Sequence, residues 1–175
     1  MKEIEKNKGI LSSEELANYI AYKYKEKMGV DISPLKLQKS LYFCFAYWGG
    51  FVRKGKITPS SSEIDLKDFN EYLFDADFEA WIYGPVVPIV YRNFKIDKME
   101  KQKAIEFEIE LKKKYNGILY TFISGLINDL IEANDFDLVD ISHKDNAWKN
   151  NYNSEEEIHN NIISKEDIID EYRSK

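Results

Sequence analysis

The sequence predicts a mainly α (α+β) fold: a compact helical domain with a small β-hairpin or short sheet. Three observations lead there. Stretches with apolar residues three or four positions apart recur along the chain, several behind a Ser cap. Only two short stretches read as strands, one of β-favouring aromatics and one alternating with a period of two. Within 175 residues there is no internal repeat and no linker long enough to separate a second domain. Residues 1–11 are charged and aperiodic and read as a flexible arm; 12–175 read as a single domain.

The first helix follows Ser12, with Glu15 completing a capping box, Leu16, Ile20, Tyr24 and Met28 on one stripe, and Gly29 as its stop. Ser33-Pro34 opens the second, a cap followed by proline in the first turn. Leu37, Leu41, Phe45 and Trp48 form its stripe, with Cys44 on the same side, and Gly49-Gly50 is expected to end it. Phe51 to Glu71, with Thr58-Pro59 and serines at 60–62, reads as loop. Phe78 to Tyr83 reads as a short strand, broken by Gly84-Pro85, and Pro88 starts a helix carrying Ile89, Val90, Tyr91 and Phe94. Ile105, Phe107, Ile109 and Leu111 alternate with Glu106, Glu108 and Glu110, which predicts a half-exposed strand with a glutamate outer face. Asn116-Gly117 suits a turn after it. Ile118 to Ile131 carries paired apolar residues every four positions, the strongest helical signal in the chain. A short helix is expected around Phe136 to Ile141. The last should follow Ser164, with Asp167 in the capping position and Ile168, Ile169 and Tyr172 docking it.

Charge and cysteine content narrow the function. A net charge of −6 argues against a nucleic-acid backbone as main partner, since phosphate neutralisation needs surplus Lys and Arg. The acidic residues concentrate in Ile127 to Lys175, 13 against 5 basic, and in Glu63 to Glu79, seven against Lys67. Solubility explains such faces; the alternative is a field that steers a basic partner. One cysteine excludes an internal disulfide, no apolar run approaches membrane-spanning length, and Met1 to Lys8 lacks an apolar signal region. A cytoplasmic protein is expected.

No catalytic or metal-binding pattern stands out. Two histidines, His143 and His159, with one cysteine do not form a zinc site by spacing. His143 reads as a histidine hydrogen-bonded to backbone at a turn, and Cys44, on an apolar stripe, as a buried inert thiol. No nucleophile elbow, Walker loop or dinucleotide fingerprint occurs. The expectation is a protein without cofactor that is not an enzyme. Aromatics carry more information, at 14% of the chain. Tyr19, Phe45, Trp48 and Phe122 read as core. In the strand, Phe78, Ala80 and Ile82 would share one face and Glu79, Trp81 and Tyr83 the other. That second face, with Tyr91 and Arg92, is either a recognition patch or a wall against another helix.

Three segments carry a resemblance. The first is Ser33-Pro34-Leu35-Lys36-Leu37-Gln38-Lys39-Ser40-Leu41-Tyr42-Phe43; the second runs from Leu73 through Glu79-Ala80-Trp81-Ile82-Tyr83-Gly84-Pro85-Val86-Val87-Pro88 to Arg92; the third runs from Leu138 through Ser142-His143 to Ala147-Trp148. In this order they resemble the Panacea domain family of SocA-like antitoxins and phage-associated GepA-type proteins. Ser40 stands where that family often has leucine, Ser142 for threonine, and Ala147 for proline.

The resemblance implies an antitoxin that neutralises a cognate protein toxin, encoded by an adjacent gene, through direct contact. SocA-like members instead act as adaptors delivering a partner to a ClpXP-type AAA+ protease, and a phage-borne inhibitor of a host factor is a further alternative. Among the motif positions, Trp81, Tyr83, Tyr91 and Arg92 are the candidate partner contacts. Lys36, Leu37, Gln38, Lys39, Tyr42, Glu79, Ala80, Gly84, Pro85, Val86, Pro88, His143 and Trp148 are expected to maintain the fold, since residues shared across a family cannot explain partners that differ. A buried Glu79 paired with Lys36, Lys39 or Arg92 is the expected device.

Overall fold

One long helix organises the molecule. In the computed structural model, which describes residues 8–57 and 64–175, helix α2 (Pro34–Arg53) runs through the centre, and 15 of its 20 residues are buried. Helix α1 (Ser13–Met28) precedes it, with Ser12 Oγ accepting from the Glu15 amide and Gly29 closing it in the left-handed conformation at φ 74°. A two-residue antiparallel pair follows, β1 (Lys56–Ile57) with β2 (Ile64–Asp65). Next come β3 (Phe78–Trp81), β4 (Gly84–Val86) and α3 (Pro88–Asn93). The second half is helical: α4 (Lys101–Lys113), α5 (Ile118–Glu132), α6 (Asp135–His143) and α7 (Asn146–Lys149). Strand β5 (Ile162–Ile163) and helix α8 (Lys165–Arg173) complete it.

The three-stranded antiparallel sheet has the order β4-β3-β5, with Phe78 opposite Ile163 and Trp81 opposite Gly84. Helix α2 packs against α1, α5, α6, α8 and β4. Its rings meet those of the sheet and of α8: Tyr42 lies edge-on to Phe78 at 5.7 Å and to Tyr172 at 6.1 Å. Tyr19, Phe45 and Trp48 are core and Phe122 packs partly buried against it. Cys44 is fully buried, which pushes its thiol up to about 12 and leaves it inert at neutral pH. Among the described residues, no helix is long and apolar enough to cross a membrane.

Four local expectations need correction. Gly49-Gly50 does not end α2, which continues to Arg53. Their lack of side chains serves packing instead: a Cβ on Gly49 would lie 2.5 Å from Ile169, and one on Gly50 would lie 2.5 Å from the Tyr172 backbone. Ile169 could yield by rotating, but backbone cannot. Gly50→Ala should therefore lower stability by about 1–3 kcal/mol in chemical denaturation, despite the ~1 kcal/mol that alanine gains within a helix. A stabilised variant would mean that α8 is not held so close.

The glutamate-rich segment is helix α4, not a strand. Ala104, Phe107 and Leu111, at i, i+3 and i+7, face α1, with Phe107 5.2 Å from the Tyr19 ring. Ile105 and Ile109, whose alternation suggested a strand, are exposed. Lys103, Lys112 and Lys113 pair with Glu100, Glu108 and Glu110 along the helix surface. The turn after it extends beyond the Asn-Gly pair, with positive φ at Tyr115, Asn116 and Gly117.

Phe51 to Glu71 is not wholly loop: its start belongs to α2, and it contains β1 and β2. Thr58-Pro59 and the serines at 60–62 lie outside the described residues, as do residues 1–7 of the expected arm. The last residues of that arm, Ile10 and Leu11, are tied by backbone hydrogen bonds to Tyr72 and Leu73. Finally, Gly84-Pro85 does not end the β structure; it forms the second strand of a hairpin whose turn is Ile82-Tyr83.

Candidate functional site

The β3–β4 hairpin is where the three motif segments meet. Each contributes polar side chains, and most of those side chains hold backbone. Strand β4 is an edge strand, and Pro85 suits it because proline can give no ladder N–H. Helix α2 covers that edge with two side chains. The Gln38 amide accepts from Val87 N at 2.8 Å and donates to Val87 O at 3.4 Å, as a neighbouring strand's peptide would. Lys39 Nζ donates to Pro85 O at 2.7 Å. Gly84, at φ +100°, must be glycine on two grounds: its conformation, and a Cβ there would lie 2.5 Å from Ser142 Oγ and 3.0 Å from Lys39 Nζ.

The turn is held from the other side by the third segment. Trp148 Nε1 donates to Trp81 O at 2.9 Å, and His143 Nε2–H to Ile82 O at 3.1 Å. The His143 and Trp148 rings stack 4.1 Å apart. Burial lowers the His143 pKa, so the neutral ring is favoured there. The expected backbone hydrogen bond is present, but His143 itself ends helix α6, and the turn is that of the hairpin it bonds to.

Lys36 and Tyr42 fasten other regions of the frame. Lys36 Nζ donates to the Ile131 and Ala133 carbonyls at the end of α5 and pairs with Asp135 at 3.1 Å. Tyr42 donates to Asp145, a fully buried carboxylate that also receives the Tyr172 hydroxyl. Leu37, Ala80 and Val86 are buried apolar contacts, and Pro88 opens α3.

Glu79 departs from expectation. It is only half-buried and is not within reach of Lys36, Lys39 or Arg92; its carboxylate accepts from Trp81 Nε1 at 2.7 Å. The physical reason is the pleat. Glu79 points to the sheet face opposite Phe78 and Ala80, away from α2, where both lysines already hold carbonyls. Ile82 leaves the Phe78–Ala80 face as well, because it lies in the turn and is exposed.

The four candidate contacts divide by position. Trp81 is half-buried, and its ring meets Tyr91 edge-on at 4.9 Å. Tyr91 is 54% exposed and Tyr83, in the turn, 56%, so both rings are available to a partner. Arg92 follows Tyr91 on α3, is exposed, and is in no ion pair among the described residues. The structure thus joins Trp81 to Tyr91 and places Tyr83 at the adjoining tip.

Four carboxylates of the Glu63 to Glu79 stretch are engaged within the protein. Glu71 pairs with Arg53 at 2.6 Å, Asp75 and Asp77 face Lys165, and Glu79 holds Trp81. Three features escaped the sequence. The buried Asp145, flanked by Lys144 and Asn146, has the look of a solvated turn. Lys39, named as a partner for a buried Glu79, is fully buried against a carbonyl and no carboxylate, because α2 has neighbours on all sides. A groove beside Tyr91 combines residues distant in sequence, Ile32 and Leu37 with Phe94 and Ile96.

A family model described as Antitoxin SocA-like, Panacea domain, matches residues 61–149, just over half of the chain. The match spans the hairpin, α3 to α6 and Trp148, and leaves out the α2 segment that clamps the hairpin edge. No curated protein and no solved structure matches the chain. The hairpin and the His143–Trp148 stack beneath its turn both fall within that span, and the chain belongs to the SocA-like Panacea domain family of antitoxins.

Proposed function

We propose that the protein neutralises a cognate protein toxin by binding it directly, with Trp81, Tyr83, Tyr91 and Arg92 in the contact and no bond made or broken. One observation carries this reading: four polar groups of the motif are engaged in holding the hairpin, while Tyr83 at its tip and Tyr91 on α3 are exposed beside a half-buried Trp81. Lys39, Gln38, His143 and Trp148 all bond to backbone carbonyls, which makes them frame rather than acid–base groups. Tyr and Trp are the side chains that most often anchor interfaces, because each buries a large rigid surface with little loss of rotamer freedom.

The toxin would be the product of a neighbouring gene. Expressed alone it should arrest growth, and co-expression with this protein should restore it. Trp81→Ala and Tyr91→Ala should each weaken the complex by about 30-fold or more, the effect of losing an anchor of ~2 kcal/mol, with helix content unchanged. A harmless neighbour would overturn the assignment; full affinity in both variants would move the contact elsewhere. The toxin's half-life decides the mode. An unchanged half-life on co-expression marks occlusion, whereas a shortened one marks delivery to a AAA+ protease.

A further inference from the structure

The two edges of the three-stranded sheet are built differently. Along β4, Pro85 has no N–H to offer, and Gln38 and Lys39 of α2 occupy backbone groups of Val87 and Pro85. Along β5, Ile162 stands opposite Glu79, while the bond from Ala80 N runs to Asn161 O at 2.8 Å. Glu79 and Ile162 are therefore a non-hydrogen-bonded pair, and the N–H and C=O of Ile162 point away from β3. Neither group has a partner among the described residues. The strand carries no proline, and the Ile162 side chain is 59% exposed. That side chain lies on the sheet face of Glu79 and Trp81, which continues to the Tyr91 ring.

The charge around this edge has one dominant sign. The segments that frame β5, residues 75–79 and 150–165, hold six carboxylates and one cation, Lys165. Asp75 and Asp77 share that lysine at 3.3 and 3.7 Å, and Glu79 has only the neutral Trp81 indole. Glu156 accepts from Asn161 Nδ2 at 3.1 Å, which brings the Glu155–Glu157 run to the start of the strand. Widening both segments by two residues at each end adds Lys149, Glu166 and Asp167 and keeps the sign. Lys8, next to the Gly9 that packs on Asp75, is a further cation and does not reverse it. A second copy of the chain, paired edge to edge, would set these carboxylates against their own equivalents; a basic strand would not.

We infer that the outward edge of β5 takes up an extended, basic segment of the partner as a further strand, bonded to the Ile162 N–H and C=O. Main-chain bonds hold such a strand and its side chains select it. Its cations would meet the carboxylates around β5, and its side chains beside Ile162 would extend the Trp81–Tyr91 surface. The inference rests on the antitoxin reading only for whose segment it is.

The test uses the full chain and three synthetic peptides. One alternates Val with Lys, the second Val with Glu, and the third is the Lys peptide with its edge-facing amides N-methylated. In a fluorescence-anisotropy titration the Lys peptide should bind at least about tenfold tighter than either of the others, and more weakly as salt rises. Hydrogen exchange at the Ile162 amide should slow by about tenfold or more in that complex. Ile162→Pro removes an N–H that the ladder does not use, so it should keep the helix content and lose about tenfold or more in affinity. Ile162→Ala keeps the N–H and should bind within about threefold of the parent. Should the proline variant fail to fold, the N-methylated peptide and the exchange at Ile162 still decide.

Equal or better binding of the Glu or the N-methylated peptide, full affinity in a folded Ile162→Pro, or no binding of the Lys peptide overturns the inference. So does a concentration-dependent dimer in sedimentation that Ile162→Pro dissolves, because the occupant is then a second copy. A harmless neighbouring gene alongside the expected peptide behaviour would remove the antitoxin reading and leave the open edge as a binding site. Growth rescue without Lys-peptide binding would do the opposite.

Discussion

Asp145→Ala should destabilise the protein by about 3–5 kcal/mol, more than Gly50→Ala. The carboxylate is fully buried. Its Oδ2 receives the hydroxyls of Tyr42 and Tyr172, both at 2.6 Å, and its Oδ1 faces Lys175 Nζ at 2.5 Å. Removing it strands two buried donors on α2 and α8 and leaves the ammonium without its partner. Each stranded donor alone costs about 1–3 kcal/mol. Set against the roughly 5–15 kcal/mol by which such domains are stable, that loss removes from about a fifth to all of the stability, so the urea midpoint should fall markedly.

Two further variants separate this network from mere loss of volume. Tyr42→Phe/Tyr172→Phe removes the donors and keeps the rings, so it should cost less than Asp145→Ala. Adding both to Asp145→Ala should recover some of the loss, since the stranded hydroxyls go with them. Urea unfolding gives all three values. A loss below about 1 kcal/mol for Asp145→Ala, or strict additivity in the triple variant, would show that the three groups do not act together.

Periodicity and capping reached most of the helices because those signals are local. Ser12, Ser33 and Ser164 cap three of them, each through the amide three residues on, and the apolar pattern of α5 needs no partner to be read. Failures came where a neighbour decides. In α4 the residues that alternate are not the ones that are buried, and only the position of α1 selects Ala104 and Leu111 over Ile105 and Ile109. Gly49 and Gly50 carry a stop signal that the close approach of α8 overrides.

The candidate site divides in the same way. That Trp81, Tyr83 and Tyr91 crowd one short span is visible in the chain, and their exposure is not. What the motif lysines and glutamine do is hidden further, because a helix with one apolar stripe is expected to turn its polar side to water. Here α2 is enclosed, so Lys36, Gln38 and Lys39 lie within the protein and satisfy carbonyls there.

Of these, Lys39 should give the clearest pH signature. It is fully buried, its hydrogen bond goes to Pro85 O, and no carboxylate among the described residues neutralises it; burial alone lowers its pKa to about 7. The titratable group facing it is His143 on α6, itself kept neutral by burial. In the unfolded chain the same amine holds its proton up to about pH 10.4. Between pH 7 and that value the unfolded state therefore binds more protons, so stability rises with pH; below pH 7 both states are charged and the gain is absent. Buried Tyr42 and Tyr172 act beyond that window. Burial and Asp145 raise both phenols, so their contribution is complete below about pH 10 and fades as pH rises past it.

Lys39→Met tests the balance of two opposed terms. It removes a buried charge whose burial costs about 4 kcal/mol at pH 7 or below, and it strands the Pro85 carbonyl at a cost of about 1–3 kcal/mol. The first term wins at pH 6, where the variant should be more stable than the parent by about 1–3 kcal/mol. Near pH 10 the first term has nearly vanished and the stranded carbonyl remains, so the variant should be the less stable of the two. Urea midpoints across that range should cross, and the variant should lose the rise between pH 7 and 10. Parallel curves would mean that the amine reaches water or an anion in the folded protein, and that the hairpin edge is not sealed over it.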